Sequence, residues 1–155
     1  MNRTDSPPSA CPRRRRSVRV FVRQHLESFN SIPDYNSYLT YILCVPLNPP
    51  EGELVRSAAG LLLKNNVRIR LEEMTPDVVA YIKATIFNVL GDPVSMIRNT
   101  VSTVIDTLLI ELGPTNWPEA LSRLMELVDS PDPHTQEVRP LCSSSLCLVV
   151  AVRLA

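Results

Sequence analysis

Prolines set the frame of this chain. Fourteen are present, and six of them, Pro33, Pro50, Pro76, Pro93, Pro118 and Pro133, each stand just ahead of a stretch with helical periodicity. A proline is tolerated in the first helical turn, where its missing N–H would have had no partner, and breaks a helix further in. Thr75 and Asp92 add a capping side chain directly before two of these prolines. The gaps alternate, at 17, 26, 17, 25 and 15 residues, so every second proline recurs at a step of 40 to 43. That step matches the length of a two-helix solenoid repeat. The spacing predicts about six helices between residues 17 and 130, packed as antiparallel pairs.

The apolar residues support this reading. Ile97, Val101, Val104, Ile105, Leu108 and Leu112 recur at three- and four-residue steps, with Arg98, Ser102 and Asp106 opposite. Val78, Ile82, Ile86, Val89 and Leu90 form a second stripe, and Leu121, Leu124 and Val128 a third. In the helix expected at 34 to 46, Tyr38, Ile42 and Val45 form the stripe, with Tyr41 beside them. No Asn-Gly or Asp-Gly turn separates alternating runs, so strand signals are absent. The expected fold is all-α, a right-handed α-solenoid of the HEAT and armadillo type, with Leu61, Ile82, Ile97, Val101, Leu108 and Leu124 buried.

Composition narrows the function. Of 155 residues 45% are hydrophobic, enough for one domain with a sizeable core. Lysine plus arginine equals aspartate plus glutamate, 16 each, which argues against a nucleic-acid partner for the whole chain. No apolar run approaches the ~20 residues of a membrane span. The opening MNRTDSPPSACPRRRR lacks the apolar stretch of a secretory signal. Cys11, Cys44, Cys142 and Cys147 form no CxxC pair, so reduced thiols of a cytoplasmic or nuclear protein are expected rather than a zinc site or disulfides. His25 and His134 stand alone, and no nucleophile–base pair, phosphate loop or paired carboxylates occur. An enzyme is not expected, and no catalytic, cofactor-binding or metal-binding residues emerge.

The ends differ from the middle. Residues 1 to 16 are rich in proline and arginine and read as a disordered, solvated tail. Residues 138 to 155, VRPLCSSSLCLVVAVRLA, lack caps, acids and a clear helical period. Trp117, directly before Pro118, is expected to staple a helix start.

The stretch RSAAGLLLKNNVRIR, residues 56 to 70, holds the site candidates. Leu54, Ala58, Leu61 and Asn65 share one helical face, which would bury Asn65 against a neighbouring repeat. Glu53, Ser57, Gly60, Lys64 and Arg68 form a second row, small residues beside two cations. A mid-helix glycine costs roughly 1 kcal/mol against alanine. Close approach by another helix, or by a partner, would justify it.

At RSAAGLLLKNNVR the chain resembles the importin-β superfamily, its transportin branch most closely. The likeness continues collinearly through HLESFNSIPDYNSYLTYIL (25 to 43), VVAYIKATIFNVLGDP with MIRNTV (78 to 101), and NWPEALSRLMELVDSPD (116 to 132). The resemblance implies amino-terminal HEAT repeats of a nuclear transport receptor over residues 17 to 137. Inner helices would lie at 17 to 31, 51 to 71 and 94 to 113, and outer ones at 34 to 46, 76 to 90 and 118 to 129. It also implies binding of the small GTPase Ran in its GTP form through the inner helices, with Lys64, Asn65, Arg68, Ser57 and Gly60 as the Ran-binding candidates. Cargo bearing a nuclear localisation signal would bind only a full-length receptor, moving between cytoplasm and nucleus. Neither nucleic acid nor membrane is an expected partner.

Two departures stand against the family pattern. The family's first outer helix is replaced by MNRTDSPPSACPRRRR, and after Gln136-Glu137 an inner helix beginning Gly-Ala-Phe is replaced by VRPLCSSSLCLVVAVRLA. Both breaks read as a gene model that has left the proper reading frame or kept an intron, and the chain as a fragment of a longer receptor. A HEAT scaffold for another acidic protein, or a non-functional truncated product, are the alternatives.

Overall fold

The computed structural model describes residues 28–48 and 51–129. Every regular element among them is helical. Helix α1 spans Tyr35–Cys44 and α2 spans Glu51–Arg70, followed by a 3-10 turn at Leu71–Glu73. Helix α3, Pro76–Ile86, continues into a 3-10 turn at Phe87–Val89; α4 spans Ser95–Leu112 and α5 spans Pro118–Asp129. These are the helices the proline spacing predicts. Most of the helix expected at 17 to 31 lies outside the described residues. So do the arginine cluster, both histidines, Cys11, Cys142, Cys147 and the segment from 138.

Among the described residues, those through Tyr35 belong to one compact unit and those from Asn36 onward to another. In the first, a turn is closed by the Ser31 hydroxyl, which donates to Ser28 O at 2.7 Å, and by Ile32 N–H, which donates to Phe29 O at 3.0 Å. Phe29 stacks on Tyr35 with ring centroids 5.9 Å apart.

In the second unit the polar contacts fix helix directions. The end of α1 meets the start of α2, because Arg56 Nε donates to Leu43 O at 3.0 Å. The start of α1 meets the end of α2, because Asn66 Nδ2 donates to Asn36 Oδ1 at 2.8 Å. The two helices are therefore antiparallel. Helix α2 packs most extensively on α4, and Ser57 meets Thr100 across that seam, 43 residues on. Glu111 borders the cavity at the end of α2, so α2 and α4 run parallel, one repeat apart. Leu43, Leu63, Val67, Ile82, Ile86, Ile97, Val101, Val104, Ile105, Leu108 and Leu124 are fully buried between the helices.

Helix boundaries follow local chemistry. Pro76 opens α3 after an extended Thr75, whose hydroxyl makes no cap bond, contrary to expectation. Asp92 stands too early to be the N-cap of α4, which is Val94; its Oδ1 instead accepts the Val94 N–H at 2.9 Å. Helix α4 stops at Gly113, where φ is +75°, a conformation open to glycine. Trp117 is buried at the start of α5 and packs on Phe87 at 5.4 Å between centroids, as a staple should. Lys83 lies over the same indole, 5.9 Å from its centroid, and donates to Asn116 O at 2.9 Å.

Three expected faces need correction. In α1 the buried residues are Leu39, Thr40 and Leu43, while Tyr38 and Tyr41 are more than half exposed. That short helix is apolar on most sides, and compact aliphatic chains go inward while phenols, with a polar tip, tolerate water. In α4, Arg98 and Ser102 are buried rather than solvated. Arg98 Nη1 donates to Asp92 O at 2.7 Å and to Pro93 O at 3.0 Å, so it is a buried cation satisfied by backbone. In α2, Leu61 is 47% exposed, and with it the face expected to be buried.

Candidate functional site

Helix α2 carries two rows of apolar or small residues, and only one can face inward. Gly52, Arg56, Ser57, Ala59, Gly60, Leu63 and Val67 are buried. Gly60 lies against α4 and α1: an added Cβ would collide with Thr100 Cγ2 and sit 3.2 Å from Leu43 Cδ1. The close approach that justifies this glycine is made by another helix of the same chain. Ser57 Oγ shares a hydrogen bond with Thr100 Oγ1 at 3.2 Å, and Thr100 Oγ1 is also 2.8 Å from Met96 O. Arg56 can be buried because Asp92 and Leu43 O share its guanidinium between them. Small residues and one neutralised cation thus line the seam, and the leucine row is left outside.

The exposed row is Leu54, Ala58, Leu61, Asn65 and Arg68, with Lys64 half-buried at its edge. Asn65, expected inside, is exposed; its neighbour Asn66 makes the interhelical contact instead. Lys64, Asn65 and Arg68 make no hydrogen bond or ion pair among the described residues. Arg70, by contrast, lies 3.4 Å from Glu73 in an exposed pair. Of the five candidates, Lys64, Asn65 and Arg68 therefore present free polar groups, while Ser57 and Gly60 lie in the seam behind them. On α4, Met96, Asn99, Thr103 and Ile110 are exposed. The exposure of Leu54 and Leu61 on α2, and of Met96 and Ile110 on α4, was missed in the sequence. The crowding of Ser57, Ala59 and Gly60 on one side was the available signal that Leu54 and Leu61 belong to the other.

This surface suits protein contact, with apolar side chains beside unpaired cations. Burial pushes the Cys44 thiol up to about 11 despite the nearby Arg56 guanidinium, so the thiol stays protonated at neutral pH. No metal-holding group of three or more His, Cys, Asp or Glu side chains occurs among the described residues. No helix among them is long and apolar enough to cross a membrane.

The importin-β amino-terminal domain model matches residues 22–92, from before α1 through α3 to the aspartate that receives Arg56. The chain is 44% identical over 115 residues to importin subunit beta-2 of Schizosaccharomyces pombe, which covers 72% of this chain and 12% of that protein. It is 39% identical over 121 residues to human transportin-1, covering 78% of this chain and 13% of the relative. Transportin of Dictyostelium discoideum is 40% identical over 115 residues, 74% and 12% of the respective lengths. The chain belongs to the importin-β family. Its α1–α2 and α3–α4 pairs are the HEAT-type repeats of an importin-β amino terminus. This importin-β chain spans only 12 to 13% of the length of these curated relatives.

Proposed function

We propose that this chain is the amino-terminal portion of a nuclear transport receptor, and that the exposed face of α2 and α4 binds Ran in its GTP form. The observation that carries the reading is the row Leu54, Leu61, Lys64, Asn65 and Arg68, exposed or half-exposed and without polar partners among the described residues. Apolar area supplies attraction, and the two cations select a partner with an acidic patch. Ser57 and Gly60 contribute by setting the spacing of α2 and α4 rather than by direct contact. Cargo recognition and passage between cytoplasm and nucleus belong to the complete receptor.

Titration of Ran loaded with GTP or GDP against the chain tests this. Binding is expected for the GTP form alone. Lys64→Ala should weaken it by ~0.2–1 kcal/mol if the pair stays at a wet rim, or ~2–5 kcal/mol if it is desolvated. Lys64→Glu should weaken it further, because repulsion replaces attraction, and the difference should shrink with added salt. Glu119→Ala on α5 should leave affinity unchanged. Binding that ignores the nucleotide, or equal affinity for wild type and Lys64→Glu at low salt, would refute the reading.

A further inference from the structure

The chain has four tyrosines, and three of them, Tyr38 and Tyr41 of α1 and Tyr81 of α3, gather at one groove. Together with Ser37 they line an open groove of about 380 Å³ whose wall is mostly apolar. The core takes nothing from them. Helix α1 buries Leu39, Thr40 and Leu43, and α3 buries Val78, Ile82 and Ile86, while the three phenols remain 38 to 60% exposed. None of the three phenol hydroxyls makes a hydrogen bond among the described residues.

On the Tyr81 side of α3 the one charged residue is an acid. Helix α1 carries no ionisable group other than its tyrosines and Cys44. On α3, exposed Asp77 stands one turn before Tyr81, on the same side of the helix. The one cation of α3, Lys83, is directed to Asn116 O and the Trp117 indole. Tyrosine rings present negative faces, and the phenol oxygens can accept hydrogen bonds. A planar guanidinium matches both features: it stacks on rings and keeps its N–H groups in plane for phenol and carboxylate oxygens.

From these features we infer that the groove between α1 and α3 binds an arginine side chain of an extended partner peptide, at a site distinct from the α2–α4 surface. Tyr38, Tyr41 and Tyr81 supply the stacking faces, and Asp77 selects for positive charge. The site does not depend on Ran binding.

The test uses the full chain and three fluorescently labelled peptides with a common glycine–serine background, carrying two arginines, two lysines or two phenylalanines. Fluorescence anisotropy should give saturable binding for the arginine peptide, at least about threefold tighter than for the lysine peptide. The double variant Tyr38→Ala/Tyr41→Ala, shown by circular dichroism to stay helical, should weaken that binding about tenfold. Tyr81→Phe keeps the ring face and should retain most of it. Asp77→Asn should weaken it a few-fold, and less so at high salt. Absence of saturable binding, an affinity for the phenylalanine peptide equal to or above that for the arginine peptide, or a double tyrosine variant that binds like wild type would each overturn the assignment.

Discussion

A Cβ at position 60 has nowhere to go, since Thr100 Cγ2 and both methyls of Leu43 already fill its place. Overpacking of this kind costs ~1–3 kcal/mol, and the gain in helix propensity over glycine returns ~1 kcal/mol. Gly60→Ala should therefore lower stability by up to about 2 kcal/mol, read as a fall in the urea midpoint. Adding Thr100→Ser removes the obstructing methyl while leaving a hydroxyl for Ser57 and Met96 O, so the double variant should recover most of the loss. That glycine was legible in the sequence as a demand for close approach. What approached was not, because Thr100 lies 43 residues away and carries no mark of its role. The same distance hides the difference between Asn65 and Asn66: only the position of Asn36 decides which of two adjacent amides meets a partner.

Helix α2 is braced to the turn before α4 by Arg56 and Asp92, whose side chains are 5% and 10% exposed. Removing one member of a buried pair strands the other, at a cost of ~3–5 kcal/mol. Arg56→Ala should lose that much, whereas Arg56→Ala with Asp92→Asn should lose less, since an amide oxygen can still accept the Val94 N–H and no charge is left unpaired. Urea unfolding at constant m separates these cases. At this scale the positions of the elements were open to sequence reading, because proline marks a helix start by backbone chemistry that needs no neighbour. Their inward faces were legible for α3 and most of α4, where one aliphatic stripe stands out. In α1 and α2 two faces competed, and packing against other helices settled the choice. The leucines left outside on α2 then became part of the candidate surface.

Over the whole molecule, the single tryptophan reports on how far the helix pairs act together. Trp117 is buried at the start of α5 and touches Phe87 in the turn that follows α3. Its emission should shift to the red on unfolding, at the same urea midpoint as the far-UV circular dichroism signal. An earlier tryptophan transition would mean that α5 detaches before the pairs it covers. The polar contacts that join the helices also carry a consequence for how such a chain is made. They close loops of 30 residues between Asn36 and Asn66, 36 between Arg56 and Asp92, and 43 between Ser57 and Thr100. Loop-closure entropy grows with the length enclosed, and here that length is set by one repeat rather than by the chain. However many repeats follow, each new pair pays the same small closure cost, and it can settle on its predecessor as soon as some forty residues have left the ribosome.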